Sequence, residues 1–170
     1  SYSVTGVQTC ALPISIKSLA GQMARDDFET TSAWIEQNKL SETESAAFAA
    51  GLAYHQGGSD TGRWLDWMAG KLPADQLDSQ VRLMVSQWAR DDYAAAGTWL
   101  NDLTGPARAP AVGSFAETIA PYEAETAARW ALTLPAGDQR ANLLRQIHKH
   151  WQSQDQAAAA RFAEQQGIAD

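Results

Sequence analysis

Apolar and polar positions along this chain follow the three-and-four spacing of amphipathic helices, and one stretch of the pattern returns at a near-constant interval. Its clearest copy follows Asp92. Counting from that acid, Ala96, Trp99, Leu100 and Leu103 stand at positions 4, 7, 8 and 11. This is the i, i+3, i+4, i+7 stripe of a helix with one apolar face. The fourth copy repeats it with Ala127, Trp130, Ala131 and Leu134. The others offer Thr31, Trp34 and Ile35; Trp64, Trp67 and Met68; and Ala159, Phe162 and Ala163. Each stripe belongs to what is called here an A helix. Small residues around one large aromatic let a neighbouring helix approach while the ring fills the gap.

The copies share a fixed landmark. Asp27/Trp34, Asp60/Trp67, Asp92/Trp99, Glu123/Trp130 and Asp155/Phe162 are five acid–aromatic pairs, each separated by seven residues, and successive pairs lie 31 to 33 residues apart. Between them run longer B helices. Leu77, Val81, Met84, Val85 and Trp88 trace one face; Val112, Phe115, Ala116 and Ile119 another; Leu144, Ile147 and Trp151 a third. Phe48, Leu52 and His55 serve the first B helix less regularly. A partial helix at 16–24 precedes the first pair, and a last A helix ends near Gln166.

A helices end at leucines followed by breakers: Leu72-Pro73, Leu103-Thr104-Gly105-Pro106 and Leu134-Pro135-Ala136-Gly137. Proline lacks a backbone donor and disfavours helix in the residue before it. In the first copy, Ser41 and Glu44 match a capping box that starts the next helix. Asp75 and Asp138 are placed as caps of theirs. Gly57-Gly58, Pro110 and Pro121 interrupt the regularity and mark expected bends, and Pro110 is expected to shorten the start of the third B helix. Short links make consecutive helices antiparallel neighbours. The pattern therefore predicts an all-α fold, an α-solenoid of stacked antiparallel hairpins with a period of 31–33 residues. No single unit of such a stack buries its apolar face alone.

Residues 1–14 stand apart. They carry no charge, and 4–14 match the in-frame translation of a common sequencing-library adapter over eleven consecutive residues. The segment is expected to be non-native and disordered, which also makes Cys10, the only cysteine, non-native. The native start is then expected to be missing and the chain to be a fragment. Residues 15–170 are expected to form a single helical-repeat domain of about four hairpins with partial terminal helices.

Composition narrows the function. Twenty acids against 13 Lys and Arg give a net charge of −7. This argues against nucleic acid, which requires clustered basic residues. No stretch approaches the roughly 18 apolar residues of a membrane-spanning helix. Seven tryptophans fall mostly at repeat positions, where packing explains them.

The unit in 88–103 reads WARDDYAAAGTWLNDL, echoed by MARDDFETTSAW at 23–34 and WQSQDQAAAARF at 151–162. It resembles the tandem helical repeats of large uncharacterised bacterial proteins, written WAxxDPxAAAxWLxxLPxG. Leu72-Pro73 and Leu134-Pro135-Ala136-Gly137 match the tail of that pattern. The proline after the acid is absent; Phe28, Thr61, Tyr93, Ala124 and Gln156 occupy its place. The resemblance covers nearly all the chain after Ser15 and implies repeat type without an activity. The units are shorter than HEAT repeats and lack the tetratricopeptide signature, although similar hairpin geometry is expected.

Candidate chemistry is sparse. The five acids are read as helix caps that complement the N-terminal dipole. Asp26-Asp27 and Asp91-Asp92 are sequence neighbours, without the separation across a cleft that acid–base pairs need. His148 and His150 are two apart, so a helix points them different ways, and surface or helix-end roles are expected for His55, His148 and His150. No zinc motif, nucleophile elbow, P-loop or dinucleotide fingerprint occurs. Hence no catalytic, cofactor-binding or metal residue is assigned, no cofactor is expected and the chain is read as no enzyme. Two functions follow. One is a non-catalytic scaffold for protein–protein or peptide interaction, its acidity favouring basic partners. The other, by architectural analogy with cell-wall lytic transglycosylases, is the repeat segment of a larger cell-envelope enzyme.

Overall fold

A computed structural model describes residues 13–53 and 60–168. Among these the only regular elements are α-helices. The chain divides into two compact units, residues 1–56 and 57–170, where the sequence pattern predicts one domain over 15–170. Residues 1–12 with Cys10, and His55, Gly57 and Gly58, lie outside the described residues. The first helix begins at Pro13, inside the segment set apart by its sequence.

The first unit contains α1 (Pro13–Met23), α2 (Phe28–Asn38) and α3 (Glu42–Ala53). Helix α1 packs on α3, with Ile16, Ala20, Phe48, Ala49 and Leu52 buried. Gly51 allows this approach: a Cβ there would meet the Lys17 carbonyl oxygen and lie 2.7 Å from the Ala20 Cβ. The stripe of α2 is buried at Thr31 and Ile35, and Trp34 stacks on Phe48 with centroids 6.4 Å apart. The Thr31 hydroxyl donates to the Met23 carbonyl at 3.2 Å, tying α2 to the end of α1. Helix α2 ends on Lys39 in the left-handed region, φ 48°, its N–H donating to the Ile35 carbonyl.

The second unit contains α4 (Thr61–Lys71), α5 (Ala74–Asp102), α6 (Arg108–Ile119), α7 (Ala124–Ala131), α8 (Asp138–Gln154) and α9 (Gln156–Gln166). Each helix packs on the next in sequence, and α6 also packs on α8. The predicted faces supply the core: Leu77, Val81, Met84, Val85, Val112, Phe115, Ala116, Ile119, Leu144 and Ile147 are buried, as are Ala96, Leu100, Ala127, Ala131, Leu134 and Ala159. Burying each larger aliphatic side chain contributes about 1.5–3 kcal/mol.

The second B helix and the third A helix are one element, α5, broken only at Asp92, whose φ −153° and ψ 83° are extended. Asp155 repeats this geometry at φ −151° and ψ 97°. Its N–H donates to the Trp151 carbonyl and closes α8, while its carbonyl accepts from Ala159 N and opens α9. One residue thus ends one helix and starts the next. Helix α7 stops at Ala131, before the expected Leu134, where the Thr133 hydroxyl donates to the Trp130 carbonyl at 2.7 Å. Pro110 does not shorten α6. It lies in the first turn, where no intrahelical donor is required.

Candidate functional site

Every tryptophan has an aromatic partner. Trp34 lies against Phe48, Trp64 against Trp67, Trp88 against Trp99, Trp130 against Phe115 and Trp151 against Phe162, with centroids 4.9 to 6.4 Å apart. Trp64 and Phe162 are buried; the other tryptophans are half-buried. The Trp88–Trp99 and Trp151–Phe162 pairs fold across the capped kinks at Asp92 and Asp155, so packing of a junction accounts for these rings.

Three of the five repeat acids cap their helices through the side chain. Asp27 accepts from Thr30 N at 2.8 Å, Asp92 from Ala95 N at 2.9 Å and Asp155 from Ala158 N at 2.9 Å. The Thr30 amide, aided by its hydroxyl, holds the Asp27 carboxyl below its usual range. The other two acids correct the expectation that all five are caps. Asp60, at φ −95° and ψ 3°, makes no side-chain cap and instead lies 3.6 Å from Arg63 Nη1. Glu123, at φ −133° and ψ 57°, makes none either. A cap needs extended backbone at the acid so that the carboxylate turns back on the helix. Neither backbone provides it.

In place of Glu123, a side chain from α8 serves the α6–α7 junction. Gln154 accepts from Ala124 N at 3.3 Å and donates to the Ala120 carbonyl at 2.8 Å. No spacing or motif marks Gln154 for this role. The Ser41–Glu44 box is fully formed: Ser41 N donates to Glu44 at 2.8 Å and Glu44 N to Ser41 Oγ at 3.3 Å. The Ser41 amide first, then its hydroxyl, lowers the Glu44 pKa. Asp75 and Asp138 are not caps. Pro73 and Gly137 hold those positions, and both acids lie in the first turn, where they face the helix dipole.

Asp26, Asp27, Asp91 and Asp92 are exposed at helix junctions. His150 is exposed, but His148 is only 4% exposed, correcting its expected surface role. It follows Ile147 and lies one turn after Leu144 on the inward face of α8. Among the described residues no group of three or more His, Cys, Asp or Glu is placed to hold a metal ion. Nor is any described helix long and apolar enough to cross a membrane.

Open grooves lie between the helices of the second unit. One, of about 390 Å³, is bordered by Asn101 of α5, Arg108 of α6, Thr126, Arg129 and Trp130 of α7, and Thr133. A second separates α5 from α6 and carries Arg82, Arg90 and Glu117. A third separates α6 from α8 and carries Glu117, Lys149 and His150. Arginines outnumber carboxylates in the first two linings, within an acidic chain. Arg108 also closes a helix, since its Nη1 donates to the Leu100 and Leu103 carbonyls, both at 3.0 Å, at the end of α5. Arg140, 32 residues on, donates to the Leu134 carbonyl at 3.2 Å. That recurrence at the repeat interval is the signal by which both arginines could have been found in the sequence.

Compared with known proteins, the chain matches no family model, no curated protein and no solved structure.

Proposed function

We propose that this chain is a non-catalytic helical-repeat scaffold that binds a protein segment in the grooves between its helices. Its repeats are of the type found in tandem-repeat bacterial proteins and stack as hairpins within each unit. The observation that carries this reading is a set of contacts between residues close to one period apart. Trp99 Nε1 donates to Asp66 at 3.2 Å across 33 residues, and the Ser114 hydroxyl to the Arg82 carbonyl at 2.7 Å across 32. Gln154 reaches Ala120 across 34. Equivalent elements that lean on each other leave a groove at each seam, and stacked repeats use such surfaces to bind extended partners.

One carboxylate of each adjacent pair, Asp27 and Asp92, serves as a helix cap, which favours binding over chemistry. Selection from a displayed random-peptide library tests the proposal. Peptides should be enriched over a no-protein control and lose binding when groove-lining positions such as Arg129 and Lys149 are replaced. Absence of enrichment contradicts it.

A further inference from the structure

The grooves differ in how their charge is balanced. Glu117 faces into both the α5–α6 and the α6–α8 grooves and offsets part of their basic lining. The groove bordered by α5, α6 and α7 is lined by Arg108 and Arg129 and by no carboxylate. Among the described residues neither guanidinium has a carboxylate within ion-pair distance. In a chain with 20 acids and 13 Lys and Arg, two such arginines on one groove are a local inversion of charge.

Arg108 is held in place, and Arg129 beside it is exposed. Arg108 is half-buried and fixed by three donations, to the Leu100 and Leu103 carbonyls at 3.0 Å and to Thr133 Oγ1 at 3.3 Å. Arg129 leans on Thr126 Oγ1 at 3.3 Å. Trp130 forms a half-buried wall, held edge-on against Phe115 with centroids 5.7 Å apart and planes at 71°. The hydroxyls of Thr126 and Thr133 and the amide of Asn101 complete the lining. A guanidinium already oriented by its neighbours loses little freedom when it binds, and its planar fork matches a carboxylate.

From this arrangement we infer that the α5–α6–α7 groove receives the Asp or Glu side chains of an acidic segment of a partner protein. The inference rests on the scaffold reading and specifies the partner's chemistry. It reverses the expectation drawn from net charge, because a partner meets the groove and not the average of the surface. Nucleic acid is the less favoured polyanion, since the rest of the chain repels phosphate backbone.

Fluorescence anisotropy tests this with labelled eight-residue peptides that alternate alanine with glutamate, glutamine or lysine. The glutamate peptide should bind, the glutamine and lysine peptides should not, and added salt should weaken binding. Arg129→Glu, an exposed change, should weaken it by about tenfold or more. Arg145→Glu, an exposed charge reversal on α8 away from the groove, should change it by less than about twofold. The Trp130 indole resonance should move on titration, and circular dichroism of each variant confirms folding. Several results overturn the inference: no binding of the glutamate peptide, equal binding of the glutamine peptide, or equal loss in both variants. So does tighter binding of a single-stranded thymidine oligonucleotide, or full competition by inorganic phosphate at the peptide's own concentration. If display selection yields only basic or apolar peptides, the inference fails and the scaffold reading stands. If display yields nothing, the scaffold reading fails as well.

Discussion

Gln154 and Ala120 are 34 residues apart, yet the Gln154 side-chain amide donates to the Ala120 carbonyl at 2.8 Å while its oxygen accepts from Ala124 N at 3.3 Å. One side chain therefore satisfies the carbonyl of Ala120, just after α6, and the first amide of α7. Glu123, which stands at the repeat position of the capping Asp27, Asp92 and Asp155, makes no side-chain cap. Replacing Gln154 with leucine keeps most of the volume and removes both bonds. The expected loss is about 1–3 kcal/mol, since Ala120 and Ala124 are buried and each would lose the partner of a backbone group. Urea unfolding checks the magnitude, and faster hydrogen exchange at the Ala124 amide checks the location.

Caps of the same repeat position should differ in worth. Asp92→Ala and Asp155→Ala each remove a bond to an amide three residues on and should cost about 1 kcal/mol. Asp60→Ala and Glu123→Ala remove no side-chain cap and should each cost less. Thermal unfolding of the four variants ranks them directly.

Acid should loosen the starts of α2 and α3. The Asp27 and Glu44 carboxylates accept backbone hydrogen bonds that lower their pKa in the folded chain. A lowered folded pKa means that the contribution is present above the unfolded values, about 3.9 for Asp and 4.3 for Glu, and is lost as pH falls through the folded ones. In an NMR titration the Thr30 and Ser41 amide resonances should shift with midpoints below those ordinary values. Asp27→Asn should abolish the shift at Thr30 alone.

Two glycines should respond to alanine with opposite sign. At Gly51 an added Cβ would strike the Lys17 carbonyl oxygen and the Ala20 Cβ, so Gly51→Ala should destabilise the first unit by about 1–3 kcal/mol. Gly70 lies exposed in the last turn of α4 with nothing near a Cβ. Gly70→Ala should stabilise by about 0.5–1 kcal/mol, through helix propensity and reduced freedom of the unfolded chain. Chemical denaturation of both variants checks the pair.

The helices were legible because their signals are local. Apolar spacing, Leu-Pro breaks and the Ser41–Glu44 box are read within a few residues, and they place α2, α3 and α6 closely. Asp92 was legible as a helix start but not as a kink inside one long element, because the preceding helix runs into it without a breaker. Which acids cap was not legible, since that depends on backbone angles set by the packing around Asp60 and Glu123. Gln154 was hidden for a related reason: its partners are a carbonyl and an amide, which nearly every residue carries and no sequence pattern marks. The burial of His148 follows from the rotation of α8 against α6 and α7, which the stripe of Leu144 and Ile147 fixes only approximately. The basic groove was masked by the net charge, because Arg108, Arg129 and Trp130 converge only after α6 and α7 pack.

Stacking of successive repeats is tested most directly by nuclear Overhauser contacts in the isotope-labelled protein. Contacts should link the Trp99 indole to Asp66, Ser114 to Arg82, the Gln154 side-chain amide to Ala120 and Ala124, and Ala20 to Gly51. Contacts confined to single helices, or joining these residues to other partners, would contradict the stack.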